Sequence, residues 1–224
     1  MIRLEKSEAL QRKIRQDDAA DLGIPTRDLI FEAFQSGNMD KAREFMDYYD
    51  FENRLEHEGI VAMASVVLSH LATFGEEEVE KAWRKRYEPR MKDWIARIPG
   101  VLENLQLFVE YQRGLLSNLT VVEEPDRYVV RCDPCGSGGR LERTDTNVTK
   151  KAYPWAWSKI GVPYYCAHCC IAYEIVPTEL RGYPLKILEI PEKLGDPCIH
   201  IQYKKPELIP EEYFTRIGKT KTIK

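Results

Sequence analysis

The feature that most restricts this chain is a pair of cysteine doublets, Cys132-Asp133-Pro134-Cys135 and Cys166-Ala167-His168-Cys169, in a sequence that has no cysteine before position 132. Cys170 and Cys198 complete the six. Two intervening residues let both sulfurs of a doublet reach one ion while backbone N–H groups of the turn face the thiolates, the spacing of a zinc knuckle. The expectation is a tetrahedral, sulfur-rich site drawn from Cys132, Cys135, Cys166, Cys169 and Cys198. Zinc is the expected ion, since it accepts thiolates without redox chemistry at roughly 2.3 Å. An iron–sulfur cluster is the lesser alternative, because the spacing matches neither common ferredoxin run.

Metal ligation is preferred to disulfides because of where the chain is expected to reside. The N-terminus, MIRLEKSEALQRKIRQDD, is charged throughout and has no apolar h-region, so no secretory signal is read there and a cytoplasmic, reducing location is expected. The formal charge of −3 is spread along the sequence, and neither a basic face for nucleic acid nor an acidic tail stands out. The most apolar run, Gly59 to Phe74, is shorter than the roughly 20 residues a bilayer needs and contains Ser65, Ser69 and His70. It reads as a buried core helix, with His70 as a hydrogen-bonded core residue.

Hydrophobic periodicity divides the chain. Residues 1–117 read as a helical layer: TRDLIFEAF ending at Ser36-Gly37-Asn38, then MDKAREFMDYYDFENRLEHEG, the apolar run, EEEVEKAWRKRYEPRMKDWIARI with Pro89 expected to kink or split it, and VLENLQLFVEYQRGLL. Residues 118–224 read as a cysteine-rich α+β part. NLTVVEE and DRYVVRCD form a hairpin across Pro125-Asp126, and YPLKILEI pairs with PCIHIQYKK through a turn at Lys193 to Pro197. A helix is expected over Cys166 to Leu180 despite Pro177. The fold class is therefore α+β, helices on one side of a small antiparallel sheet, with a boundary near Ser117 inside one integrated domain.

Further residues bear on chemistry. His200 alternates with Cys198 and Gln202 along one strand, so Cys198 and His200 share a face. His168 and Cys170 adjoin the second doublet and are candidates for proton carrier and nucleophile. Tyr153, Trp155, Trp157, Tyr164 and Tyr165 either wall a pocket or, as base rates favour, fill the interface between helices and sheet. The glycines of CGSGGR suit a tight turn close to the metal better than an anion nest beside Arg140; no Walker motif follows.

The text CAHCCIAYEIVPTELRGYPLKILEIPEKLGDPCIHIQY resembles the superfamily of 4-vinyl-reductase-type sensor domains and L-2-amino-thiazoline-4-carboxylic acid hydrolase-like proteins. The resemblance covers about forty residues of the C-terminal third. It rests on a cysteine before a helix, an acidic residue in a strand, and Gly-Asp-x-x-Cys leading into the next strand. It implies Glu189 and Cys198 as metal ligands. The chain departs from the pattern at Glu192, where a cysteine is expected, and in possessing CDPCGSGGRL.

Three functions follow as expectations. The first is a zinc-dependent hydrolase or lyase acting on a small molecule, in which the metal activates water or polarises a C=N or C=O bond and a pocket opens onto the metal. The second is a small-molecule-binding sensory domain with a structural, four-ligand zinc and a cavity set apart from it. The third is a zinc-ribbon-type interaction scaffold without a cavity.

Overall fold

The computed structural model describes residues 3–18, 20–98, 100–141, 144–193 and 195–223. The chain is mixed α+β with small antiparallel sheets. It forms two compact units, Met1–Leu55 and Glu56–Lys224. The division falls at 55/56, and Ser117, the boundary expected from the sequence, lies inside the second unit.

In the first unit, strands β1 (Leu4–Ser7) and β2 (Arg12–Arg15) pair antiparallel as a hairpin, a correction to the all-helical reading of the N-terminal half. Helix α1 (Thr26–Gln35) buries Leu29 and Ile30 against Phe45 of α2 (Met39–Ala72). The two segments expected as separate helices from Met39 onward are thus one helix of 34 residues.

In the second unit, the C-terminal part of α2 is followed by α3 (Glu77–Arg97) and α4 (Val101–Gly114). Pro89 sits within α3 without splitting it. The apolar run on α2 is helical but not buried all round: Val61, Ser65 and Leu68 face inward, whereas Ile60, Met63, Val66, Val67 and Phe74 are exposed. His70 is exposed too, edge-on to Phe74 at 5.3 Å. A 3.6-residue repeat turns an all-apolar stretch towards core and solvent alike, so composition alone could not give the burial.

Strands β3 (Leu119–Glu123), β4 (Arg127–Cys132), β5 (Ile187–Glu189) and β6 (Cys198–Tyr203) form an antiparallel sheet in the order β3-β4-β6-β5. Both expected hairpin pairings are present. One face packs Val130 and Cys132 on Leu105 and Phe108 of α4. The other packs Ile187, Ile201 and Tyr203 on Ile209 and Phe214, so the sheet is covered on both sides and not on one.

The segment after the second doublet is helical, as expected, but changes pitch: α5 (Ala167–Cys169), a π-helical turn (Cys170–Ile175) and α6 (Val176–Arg181). Pro177 explains part of this. In an α-helix the Tyr173 carbonyl would accept from residue 177, which has no N–H. That carbonyl instead accepts from the backbone N–H of Leu185 at 2.8 Å, fixing the entry to β5 beside Tyr173. Gly182, at φ 88°, supplies the left-handed residue that ends α6.

Helix α3 is tied to α6 by Arg84, which donates to Glu179, while Lys219 also donates to Glu179. Burial pushes the Glu179 carboxyl up, but the bonds from Arg84 and Lys219 outweigh it and hold the group below its ordinary 4.5. A depressed carboxyl contributes stability above the unfolded value, and this is lost as pH falls through the folded one. Glu179→Gln should therefore flatten the acid limb of a urea-denaturation profile below pH 4.5. At neutral pH the cost should be only about 1 kcal/mol, since the pair is partly screened by solvent.

Candidate functional site: a cavity floored by Lys186 and backed by cysteines

The register of β4, β5 and β6 assembles the site. Cys132 lies opposite Cys198, Val130 opposite His200, and His200 opposite Leu188, so these side chains share one face of the sheet. Lys186 stands two residues before Leu188 and is 5% exposed. Its Nζ lies 3.0 Å from the Phe108 ring centroid and 3.8 Å from that of Tyr173. Among the described residues it has no hydrogen-bond partner. Burial pulls its pKa down to about 7, opposed by the nearby sulfurs of Cys169, Cys132, Cys135 and Cys198. Both ring nitrogens of buried His200 also lack a hydrogen-bond partner among the described residues, its ring resting 4.6 Å from Phe108.

Lys186 forms part of the wall of a cavity of about 580 Å3. Helices α3 and α4 supply Tyr87, Trp94, Phe108 and Tyr111, and the π-helical turn adds Tyr173. Arg86 and Arg90, one turn apart on α3, also line it. Neither makes a hydrogen bond or ion pair among the described residues, whereas Arg84 and Arg97 on the same helix are paired. Among the described residues Glu110 is the one acidic residue on this wall. No cysteine lines the cavity.

Behind Lys186, three segments bring the cysteines together. The first doublet is held by the end of α4. Gly136 donates its N–H to Ser117 Oγ at 2.6 Å, which bonds to Gln112 Oε1, and Arg140 donates to the carbonyls of Leu115, Leu116 and Gly136. Arg140 thus closes the C-terminal end of a helix and does not form part of an anion cradle. The glycines act as tight spacers: a Cβ on Gly138 would lie 2.5 Å from Cys166 Sγ. Gly138→Ala should therefore displace Cys166, and it is expected to lower the melting temperature together with metal content measured by elemental analysis.

Cys169 lies within electrostatic reach of Cys135, Cys166, Cys198 and Lys186, and burial raises its pKa well above the ordinary thiol value. Cys132 is pushed up to about 12, first by burial and then by Cys135. A void of about 20 Å3, the size for one water or ion, is lined by Cys166, Cys198, Gly138 and Gly139. As placed, no three His, Cys, Asp or Glu side chains among the described residues form a group able to hold a metal ion.

His168 is enclosed by Trp83, Tyr87 and Tyr165, with ring centroids at 5.2, 5.8 and 5.0 Å. Its Nδ1 is 2.5 Å from the Tyr165 carbonyl oxygen, so Nδ1 carries the proton and Nε2 faces Cys169 Sγ at 3.3 Å as acceptor. Burial pulls His168 down to about 4, which keeps the ring neutral.

Two residues singled out from the sequence are elsewhere. Cys170 is buried in the main core, its thiol donating to the Pro154 carbonyl, with Glu174, Arg216 and Glu80 and not the other cysteines as its charged neighbours. Glu189, implied by the resemblance, is exposed and accepts from Tyr213 Oη; its register partner is Ile199, on the opposite face from His200. Trp155, Trp157 and Tyr164 fill the core, so the cavity's aromatics come from helices instead. Lys186 was legible in principle, as the lone charge at an inward position of YPLKILEI. Tyr87, Trp94 and Phe108 carried no mark distinguishing them from core residues.

No helix among the described residues is long and apolar enough to cross a membrane. No protein-family model matches the sequence, and no curated protein and no solved structure matches it.

Proposed function

We propose that the chain is a small-molecule-binding module whose cavity takes a flat, largely apolar molecule with an acidic group. A zinc ion held by Cys135, Cys166, Cys169 and Cys198 would stiffen the wall behind it. The observation that carries this reading is the separation between cavity and sulfurs: Lys186 and aromatic rings line the one, while the void against Cys166 and Cys198 admits only about 20 Å3. That separation favours the sensory-type expectation over a hydrolase, in which the substrate must reach the metal.

Each group has a stated part. The faces of Tyr87, Trp94 and Phe108 exclude water and stack on the ligand. Arg86 and Arg90, unpaired on the same face, hold its acidic group through charge-assisted bonds. The zinc ion would act as a four-coordinate cross-link between segments distant in sequence. Four thiolates on a divalent ion leave negative charge, which Lys186 offsets from the cavity side. Cys132 stays a protonated core thiol.

The test compares 2-naphthoate with its neutral amide, 2-naphthamide, by calorimetry and tryptophan fluorescence. Binding of 2-naphthoate is expected, with Trp94→Ala weakening both probes. Replacing Arg86 and Arg90 with methionine should weaken the acid alone by roughly tenfold, ~1.4 kcal/mol. Absence of binding by both probes at millimolar concentration would sink the reading.

A further inference from the structure

The pairing of β5 with β6 ends at Ile187 and Ile201. The residues before Ile187 leave the sheet, because Leu185 donates its amide to the Tyr173 carbonyl and not to β6. Between Tyr183–Lys186 and the continuing strand at Gln202 and Tyr203 lies a second cavity, of about 220 Å3. The first turn of α4 also lines it, tied to β6 by Gln202 Nε2, which donates to the Val101 carbonyl at 3.0 Å. Lys186 and Gln202 stand between this cavity and the larger one and line both.

The charge of the second cavity is one-sided. Arg181 and Lys186 line it, and among the described residues no Asp or Glu does. Arg181 donates from Nε to the Tyr183 carbonyl at 3.3 Å and from Nη2 to the Pro184 carbonyl at 3.1 Å, its guanidinium carbon 4.1 Å from the Tyr183 ring centroid. Its Nη1 donates to no described residue. Burial pulls its pKa down, opposed by Tyr183 and by no carboxylate. Lys186 is 5% exposed, and its Nζ is likewise without a hydrogen-bond partner among the described residues. Desolvated cations without an anion are costly, and an acidic group entering between them offsets that cost through charge-assisted bonds to the planar guanidinium. The start of α4 adds the positive end of a helix, answered in part by Glu103, which folds back over Gly100.

The remaining walls are largely aliphatic: Val101, Ile187, Ile201 and Ile209, with Pro184 and Pro206. A wholly polar anion such as phosphate gains nothing from them, whereas a short hydrocarbon body removes them from water. The volume is below the roughly 300 Å3 at which sites for drug-sized molecules begin, so that body is small.

We propose that this cavity is a binding site for a short aliphatic carboxylate, with the acid group on Arg181 beside Lys186 and the hydrocarbon end among Ile187, Ile201 and Ile209. The site is separate from the one assigned to a flat acid, and its occupancy does not depend on that reading.

The test is a titration of the full, 15N-labelled chain with 3-methylbutanoate, followed by amide NMR shifts. Saturable shifts are expected at Val101, Tyr183, Ile187 and Gln202 at millimolar concentration. The neutral 3-methylbutanamide and inorganic phosphate should each bind at least tenfold more weakly. Arg181→Met should weaken the acid by about tenfold, and Arg181→Lys, which keeps the charge, should weaken it less. Equal binding of the amide would overturn the acid's place on Arg181, and equal binding of phosphate would overturn the aliphatic part. Absence of saturable shifts, or shifts centred on Tyr87, Trp94 and Tyr111 in the larger cavity, would overturn the proposal outright.

Discussion

Glu174→Ala is expected to remove about 3–5 kcal/mol of unfolding free energy, because it strips one member from a buried ion pair and leaves the rest unsatisfied. Glu174 is fully buried in the π-helical turn. Its Oε1 accepts from Trp157 Nε1, the Leu188 amide and Arg216 Nη2, each at 2.8 Å, and Oε2 accepts from Arg216 at 2.9 Å. One carboxylate therefore joins the aromatic loop, the π-helical turn, β5 and the C-terminal segment. Domains of this kind have only about 5–15 kcal/mol in total, so the loss should be plain in urea denaturation. Glu174→Gln keeps the shape and should cost less, about 1–3 kcal/mol. Burial pushes the Glu174 carboxyl above its ordinary 4.5, against the pull of Arg216, Trp157 and Leu188. The folded chain thus binds this proton more tightly than the unfolded one, and the residue's contribution declines as pH rises through the folded value. Glu174→Gln should remove that slope. A Glu174→Ala protein with an unchanged urea midpoint would refute the account.

The second large effect is expected from the cysteines. Purified protein should carry one zinc per chain, and Cys135→Ser or Cys169→Ser should abolish it. Stability lost with the metal should be on the order of 5 kcal/mol, because a four-thiolate ion closes loops that otherwise cost conformational entropy. Cys170→Ser supplies the contrast, since that thiol donates to the Pro154 carbonyl within the core. It should leave metal content unchanged. Elemental analysis and melting curves with and without chelator decide the matter. Protein free of zinc and iron, or serine variants with undiminished metal, would exclude the proposed ion.

The two predictions act through different parts of one arrangement. Glu174 and Tyr173 are neighbours in the π-helical turn: Glu174 binds the Leu188 amide and Tyr173 binds the Leu185 amide. Together they fix the strand segment that carries Lys186 between the cavity and the sulfurs.

Much of this was legible in the sequence where the signal is local. Alternation in RYVVRC and CIHIQY identified strands because side chains of a strand point to alternate faces, and the same rule placed Cys198 and His200 together. The Cys-x-x-Cys spacing marked the doublets because two residues are what a turn needs to bring two sulfurs together. The role of Cys170 was misread for the same local reason: adjacency to Cys169 says nothing of direction, and consecutive residues of a helix diverge by about 100°. Glu189 failed likewise, one position out of phase with Lys186 and Leu188.

The sequence by itself thus determined most of the element types and two of the strand pairings, since these follow from periodicity and short spacings. Only the tertiary structure decided that an aromatic cavity lies between α3, α4 and the sheet, that Lys186 is its floor, and that one side of an apolar helix remains exposed. Tyr87, Trp94, Phe108 and Lys186 are separated by up to a hundred residues. Whether an aromatic ring fills a core or walls a cavity depends on the volume left between elements, and no residue's own chemistry records that volume.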